Sequence, residues 1–450
     1  MRFRLPGWLL LPLLLASPLA AQVDLGPLFA PPTAGEIAAV RADWDARLPT
    51  PTDWTVHSTG ASDGFTVQAV SHLIDGRRHY GALRFPRNYT PDRPYPVLLY
   101  LHGGVDGLYV PNLVSWDRDD PSGCTRDSFL VVAPAFRGEM LNGDGIVGTY
   151  GSDGPNDPFD TDADDAMALL TAVLLNVPEA APPPVVVVGG SRGGNVAYHL
   201  ALRDPRVVRT AIRAGPSDFF LDHVRQGAEQ KLETGATGDP LGRQVADRIA
   251  GPWLAGDLTL AQARHTLLAW SVAPLLDRPL ALQIHHGGYD NVVPLLHSQA
   301  MDSVETALGA GPPDYRFVFY PTGGHAETSL PGFAANVAEY VCAAPRSVGV
   351  GGRLPAPPRL RSAPNPFRHR TRLSLAGEAG EKAAPPVRVS IYDLAGRRLR
   401  ILPLAPAGDG VHRGTWDGRD AAGHRVAPGT YLGLADGVPG ACAVKLIRRP

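Results

Sequence analysis

Residues 185–199 read VVVVGGSRGGNVAYH: four β-branched residues, then a glycine cluster with one serine at its centre. Two chemistries use a glycine-rich turn between a strand and a helix, a phosphate cradle and a nucleophile elbow. The phosphate pattern G-x-G-x-x-G fails here, because the third position counted from Gly189 is Ser191. The nucleoside-triphosphate loop fails too, since Gly194 is followed by Asn195 where that loop requires Lys and then Ser or Thr. Gly189-Gly190-Ser191-Arg192-Gly193 does satisfy G-x-S-x-G, with an expected strand at 185–188 before it and a helical pattern after it. A serine on that sharp turn adopts strained backbone angles, and side chains two residues to either side would collide with strand and helix. The turn also sets the backbone N–H of Arg192 at the positive end of a helix, where it can stabilise an oxyanion.

A serine hydroxyl is a weak nucleophile and needs a base, held in turn by a third group. After the expected strand at 280–284 comes HHGGYDNVVP, which puts Asp290 on a loop; after 317–320 comes PTGGHAET, which puts His325 on the next. Asp277 precedes its strand and would emerge at the wrong edge. The string VLLYLHGG supplies further oxyanion donors in the backbone N–H groups of Gly103 and Gly104. His102 in the same loop stands near the developing charge, which suits a hydrogen-bond donor rather than the base. Arg192 sets a large cation beside the nucleophile and is expected to favour a substrate bearing a negative group.

Other polar residues read as structural. His285 and His286 are neighbours on an extended chain and point to opposite faces, so they do not share a metal. His199 reads as a packing residue. The run DPFDTDADD, 157–165, lacks the glycine and distal Glu of a calcium loop, and its carboxylates are expected to cap a helix starting near Asp164. Neither a metal nor an organic cofactor is expected.

Working outward, short apolar runs at 97–101, 129–133, 207–214, 280–284 and 317–320 join 185–188 as strands buried on both faces. Helical patterns at 164–175, 195–202, 297–308 and 332–342 fall between them, which predicts an α/β body with a mostly parallel sheet flanked by helices. Residues 64–86 alternate around Asp75-Gly76 as a hairpin. Residues 218–270 interrupt the rhythm as a helical insertion, expected to shape a substrate pocket.

With 450 residues the chain exceeds one core, and 44% apolar and 19% charged residues suit a globular protein. Residues 1–21 carry Arg2 and Arg4, an apolar run and then small residues, the pattern of a secretory signal too short to span a bilayer. An arm with one short helix at 34–47 fills 22–63, the catalytic body 64–344 and a Gly/Pro-rich linker 345–360; residues 361–450 form a small all-β module. A net charge of -2 gives no general pull toward nucleic acid, and no nucleic-acid motif or transmembrane segment is present. The final module is basic, with 15 Lys/Arg against 7 Asp/Glu, which fits either solvated strand faces or an anionic surface partner. Three cysteines, Cys124, Cys342 and Cys442, allow at most one pair, and spacing does not choose it.

The strings YLHGG, GGSRGG, HGGYDNVVP and YPTGGH, spread over 64–342, together resemble the α/β-hydrolase superfamily. Within it they are most similar to the catalytic domain of the prolyl oligopeptidase family and to dienelactone-hydrolase-like esterases, and H-G-x-x-D-x-x-V-P at 286–294 is the most specific string. The resemblance implies Ser191 as nucleophile, Asp290 as orienting acid and His325 as base, acting on a small peptide or an acyl ester. Prolyl oligopeptidases carry a β-propeller ahead of the catalytic domain, for which the segment before Gly64 is too short. An ester on an acylated polysaccharide, acetyl or feruloyl, thus stands beside a peptide. The strings APNPF, VSIYDLAGRRLR and TWDGRDAAGHRVAPGTY in the last module resemble immunoglobulin-like domains of the flagellar hook-capping type and type IX secretion sorting domains. That implies export to the exterior or the cell surface, with the surface or the secretion machinery as partner. The alternative is a non-catalytic surface-binding protein on a hydrolase scaffold, against which the complete Ser, Asp and His set argues.

Overall fold

The computed structural model describes residues 23–344 except Leu48, Asp92, Pro182, Pro183 and Pro312, and in the tail 359–376, 387–393, 397–407, 411–436 and 443–449. The expected signal, the greater part of the linker and Cys442 lie outside the described residues.

Nine strands form the sheet of the body: β1 (Thr52–Ser62), β2 (Phe65–Ile74), β3 (Arg77–Arg84), β4 (Val97–Leu101), β5 (Leu130–Ala135), β6 (Val185–Gly190), β7 (Val207–Arg213), β8 (Leu282–Gly287) and β9 (Arg316–Tyr320). Their spatial order is β1-β2-β3-β5-β4-β6-β7-β8-β9. The first four in that order pair antiparallel, and every pairing from β5–β4 onward is parallel. The unbroken apolar runs of the middle strands follow from this, since a parallel sheet under helices buries both faces. Val185, Val186, Val187 and Val188 are all buried. Asp75 and Gly76, at φ 50 and 76, make the β2–β3 turn in the left-handed conformation that a two-residue hairpin requires.

β1 lies within the stretch read as an arm, so the sheet starts at Thr52 rather than near Gly64. It is an edge strand whose residues are largely exposed, and it carries no apolar alternation to betray it. The rest of the expected arm is not loose either. α1 (Ala34–Ala46) opens with a capping box between Thr33 and Glu36. Its Trp44 Nε1 donates to Asp160 at 2.6 Å, and Arg47 pairs with both Asp160 and Asp164.

α2 (Asp160–Asn176) begins four residues before the expected start at Asp164. Its acidic first turns differ from the expected capping role. Asp162 alone among them caps, accepting the N–H of Phe159 at 2.8 Å. Asp160 and Asp164 are each shared by Arg47 and Arg203, and Asp165 takes Arg137 at 2.6 Å. Charge pairing with distant arginines has replaced local capping. α3 (Arg192–Arg203), α5 (Leu296–Ala307) and α6 (Phe333–Cys342) follow β6, β8 and β9 within a few residues of the sequence-based expectations.

A second compact unit comprises described residues 220–264, within the expected insertion, and residues 23–30, from the expected arm. It holds α4 (Asp222–Thr234) and shorter helical turns. Arg264 ties its two pieces, donating to the carbonyls of Pro27, Leu28 and Ala30 at 3.1, 3.0 and 2.8 Å.

The tail folds as β10 (Arg359–Ala363), β11 (Thr371–Ala376), β12 (Val387–Tyr392), β13 (Arg398–Pro406), β14 (Val411–Trp416), β15 (Gly429–Asp436) and β16 (Ala443–Arg448). All pair antiparallel in the order β10-β11-β14-β13-β12-β15-β16. β13 serves both halves, pairing with β12 along most of its length and with β14 at Ala405 and Pro406. Asn365-Pro366-Phe367 nearly closes the sheet into a barrel: Phe367 exchanges backbone hydrogen bonds with Ile447 and Arg449 at 2.9 and 2.7 Å. Trp416 is fully buried at the centre, edge-on to Phe367 and Tyr431.

In the body, Cys124 and Cys342 form a disulfide, resolving a choice that spacing left open. Cys342 ends α6, whose Phe333, Val337 and Val341 pack into the core. Crosslinking residues 218 positions apart removes loop-closure entropy from the unfolded chain, with an upper value of about 5 kcal/mol. Replacing both cysteines by serine is expected to lower the urea midpoint of the body accordingly, and an unchanged midpoint would show that the bridge adds no constraint.

Candidate active site

β6 delivers Ser191 to the C-terminal edge of the sheet, and α3 starts at the next residue. Ser191 sits at φ 55, ψ -122, a region that costs a non-glycine residue about 1–3 kcal/mol. Its N–H donates to the carbonyl of Arg213 at 2.8 Å, and its carbonyl accepts from Gly194 and Asn195 at 2.8 and 3.2 Å. The glycines at minus two and plus two are sterically obligatory. A Cβ on Gly189 would stand 2.2 Å from the carbonyl oxygen of Gly193, and one on Gly193 would stand 2.1 Å from that of Leu101 and 2.6 Å from that of His102. Gly194 approaches Gly215 as closely, with a Cβ falling 2.8 Å from its Cα.

His325 and Asp290 meet across the loops after β9 and β8. Nδ1 of His325 lies 2.8 Å from Oδ2 of Asp290, whose carboxylate is wholly buried while the imidazole stays partly exposed. Oδ1 of Asp290 accepts the N–H groups of Val292 and Val293, both at 2.9 Å. Burial alone would raise the Asp290 pKa, but these hydrogen bonds, that from His325 foremost, outweigh it and hold the carboxyl below its ordinary range. Glycine pairs let the loops touch: a Cβ on Gly287 would stand 2.4 Å from the carbonyl oxygen of Gly323, and one on Gly288 would stand 2.4 Å from that of Pro321.

Ser191 and His325 are thus brought to the same edge of one sheet, although among the described residues no hydrogen bond joins Oγ to the imidazole. Gly103 faces the serine directly, since its Cβ would stand 3.0 Å from Ser191 Cβ. Gly104 follows at φ 76. Among the described residues, no acceptor takes the N–H of Gly103, Gly104 or Arg192. His102 is buried, its Nδ1 3.1 Å from the Gly103 carbonyl; burial foremost, aided by the Arg192 cation, pushes its pKa down to about 4. It stays neutral at physiological pH.

The side chain of Arg192 departs from expectation. It is 5% exposed and turned inward, gripping both oxygens of Asp162 at 2.7 and 2.8 Å, pairing with Glu139 and donating to the Gly104 carbonyl at 3.2 Å. Two carboxylates spend its charge inside the protein, so it offers no free cation to a substrate. These carboxylates hold the Arg192 proton beyond its ordinary range against the opposing effect of burial. The guanidinium therefore braces the Gly103-Gly104 loop against the elbow. Sequence reading missed Asp162 and Glu139 in this role because nothing local links them to residue 192.

The other histidines that the sequence singled out are held by packing and hydrogen bonds. His286 bridges Ser298 Oγ at 2.7 Å and the Val293 carbonyl at 2.9 Å, stitching the Asp290 loop to α5. His285 pairs with the Tyr320 hydroxyl and Gln283, its pKa pushed by burial down to about 3. His199 is buried against the edge of Trp44. No group of three potential metal ligands occurs among the described residues.

A serine on a strained strand-to-helix turn above a mostly parallel sheet, followed in chain order by Asp and His on later loops, decides the architecture. The body has an α/β-hydrolase fold. Residues 373–432 match the family model of the FlgD Ig-like domain. No curated protein matches the sequence. Among solved structures, acetyl xylan esterase 1 from Thermoanaerobacterium sp. is similar at 17% identity and a TM-score of 0.46, covering 71% of this chain and 98% of its own. An S-formylglutathione hydrolase from Agrobacterium tumefaciens gives 12%, 0.42, 64% and 98%. The acylaminoacyl peptidase of Pyrococcus horikoshii gives 15%, 0.39, 62% and 47%.

Arg192→Met is expected to cost about 3–5 kcal/mol, because it leaves Asp162 and Glu139 buried without a counter-charge. Urea unfolding checks this; a loss under about 1 kcal/mol would mean that the two carboxylates find other partners or protons.

Proposed function

We propose that the protein is a serine hydrolase that cleaves an ester or amide bond through an acyl-enzyme. The observation that carries this reading is the Nδ1 to Asp290 hydrogen bond of His325, which leaves Nε2 to act at the edge where Ser191 is held in its strained turn. His325 takes the Oγ proton as Oγ bonds to the carbonyl carbon, and Asp290 stabilises the resulting imidazolium. The oxyanion accepts hydrogen bonds from the backbone N–H groups of Arg192 and of Gly103 or Gly104. Collapse breaks the bond to the leaving alcohol or amine, which takes the proton from His325, and water then repeats the sequence to free the acid. Oγ and Nε2 close to hydrogen-bond distance when substrate binds, a tightening common to such sites.

Neutral groups line the oxyanion loop, since His102 is uncharged and Arg192 is neutralised. A small peptide or an acyl ester, free or carried on a polysaccharide, suits such a site. We read residues 1–21 as an export signal, and the basic FlgD-like tail as a sorting or attachment module for the cell surface.

A fluorophosphonate is expected to label the mature protein stoichiometrically at Ser191, as mapped by peptide mass spectrometry. His325→Ala is expected to abolish labelling, and Asp290→Asn to slow it by about 10³–10⁴. Folded protein that does not label at all would favour the scaffold alternative.

A further inference from the structure

G-x-S-x-G asks for two glycines, and this elbow has four. Gly194 is accounted for by its contact with Gly215. Gly190, immediately before the nucleophile, is accounted for by Arg213. A Cβ at 190 would stand 2.6 Å from Nη2, 3.1 Å from Cζ and 3.2 Å from Nε of that arginine. The guanidinium therefore lies over the backbone of Gly190, its cross-strand partner at the ends of β6 and β7. A side chain at 190 and the arginine cannot occupy that place together.

Arg213 makes two bonds of different kinds from this position. Its backbone carbonyl accepts the N–H of Ser191 at 2.8 Å. Its Nη1 donates to the backbone carbonyl of His325. One residue thus holds the strained serine through its main chain and the base through its side chain. Asp290 fixes the imidazole at Nδ1 but does not hold the backbone that carries it, and that backbone follows the Gly323-Gly324 pair. Glu327 lines the same pocket and feels the charge of Arg213, yet among the described residues no carboxylate comes into direct ion-pair contact with that guanidinium. A half-buried cation paired only at a distance gains little stability from its charge. The arrangement suits geometry instead, because a forked guanidinium can set one nitrogen over Gly190 and donate through another to His325, which a lysine ammonium cannot.

We propose that Arg213 is a positioning residue that sets the base of the site in register with the nucleophile. The inference rests on the serine-hydrolase reading and goes beyond it by naming a residue outside the triad and oxyanion donors. Without Arg213 the His325 loop loses its link to the elbow, and Nε2 no longer stands where the Oγ proton leaves.

The test compares wild type, Arg213→Met, Arg213→Ala, Arg213→Lys and Gly190→Ala in the full mature chain, reading the rate of fluorophosphonate labelling at Ser191 and turnover of a p-nitrophenyl ester. Arg213→Met is expected to label about 10–100-fold more slowly, the scale on which an ångström of misplacement acts, with kcat falling and KM little changed. Arg213→Lys is expected to recover little of this. Gly190→Ala, which displaces the guanidinium without removing it, is expected to reproduce the loss, and the double variant to add nothing further. Guanidinium chloride at millimolar, non-denaturing concentration should restore activity to Arg213→Ala, whose short side chain leaves room for the ion, but not to Arg213→Met, a readout that a purely structural role would not move. Wild-type rates in Arg213→Met overturn the inference while leaving the hydrolase reading intact. So does a loss in Arg213→Ala that follows a lowered urea midpoint and resists rescue. Wild type that fails to label removes the reading and the inference together.

Discussion

A serine at φ 55 persists only where the surrounding chain leaves it no other path, and the packing around Ser191 supplies that compulsion. The closure is made of backbone against backbone. Gly189 is pressed on Gly193, Gly193 on the carbonyls of Leu101 and His102, and Gly194 on Gly215. β4, β6 and the start of α3 are thereby locked at one point, with the Ser191 N–H tied to β7. Because hard contacts between main chains have no rotamers to yield, the turn keeps its shape without any side-chain contribution. The same device recurs where Gly287 and Gly288 let the Asp290 loop touch the His325 loop.

Around this joint runs a layer of charge. α2 presents four carboxylates in its first turns, and each is answered by an arginine from a different part of the chain: Arg47 after α1, Arg137 after β5, Arg192 at the elbow, Arg203 at the end of α3. Arg192 extends the layer to Glu139 and the Gly104 carbonyl. Buried bidentate pairs of this kind add little net stability over apolar packing, yet each fixes direction and distance for both partners. They set the orientation of segments that the sheet itself does not constrain, above all α1 and the Gly103-Gly104 loop.

Much of this was legible in the sequence, for reasons that differ from residue to residue. The middle strands declared themselves because burial on both faces writes an uninterrupted apolar run, and Asp75-Gly76 declared its hairpin through a conformational demand few other pairs meet. Asp290 and His325 were paired by motif and by chain order, and the structure brings the two into hydrogen-bond contact. β1 was hidden because a largely exposed edge strand rich in Thr and Ser carries no apolar alternation. The partners of Arg192 were hidden because Asp162 and Glu139 stand 30 and 53 residues away, and nothing in a linear string links a cation to them. The acidic run at 160–165 was misassigned for the same reason, local capping being the only partner that a sequence offers. Arg213 reads in VVRTAIRAG as one more polar residue near a strand end. Only the sheet reveals that its neighbour is the glycine before Ser191.

The Cys124–Cys342 bridge also sets the route by which a pull would travel. The tail begins after Cys342, so a surface holding the tail while the body is dragged by flow or by a bound substrate loads the chain at that residue first. Without the bridge, such a tension would run back along α6 toward the loop of His325. With it, a covalent branch carries the load directly to Cys124, early in the body, and the segment between His325 and Cys342 lies outside the line of force. Under such a pull the disulfide would act as a strain relief, of the sort fitted where a cable enters an instrument.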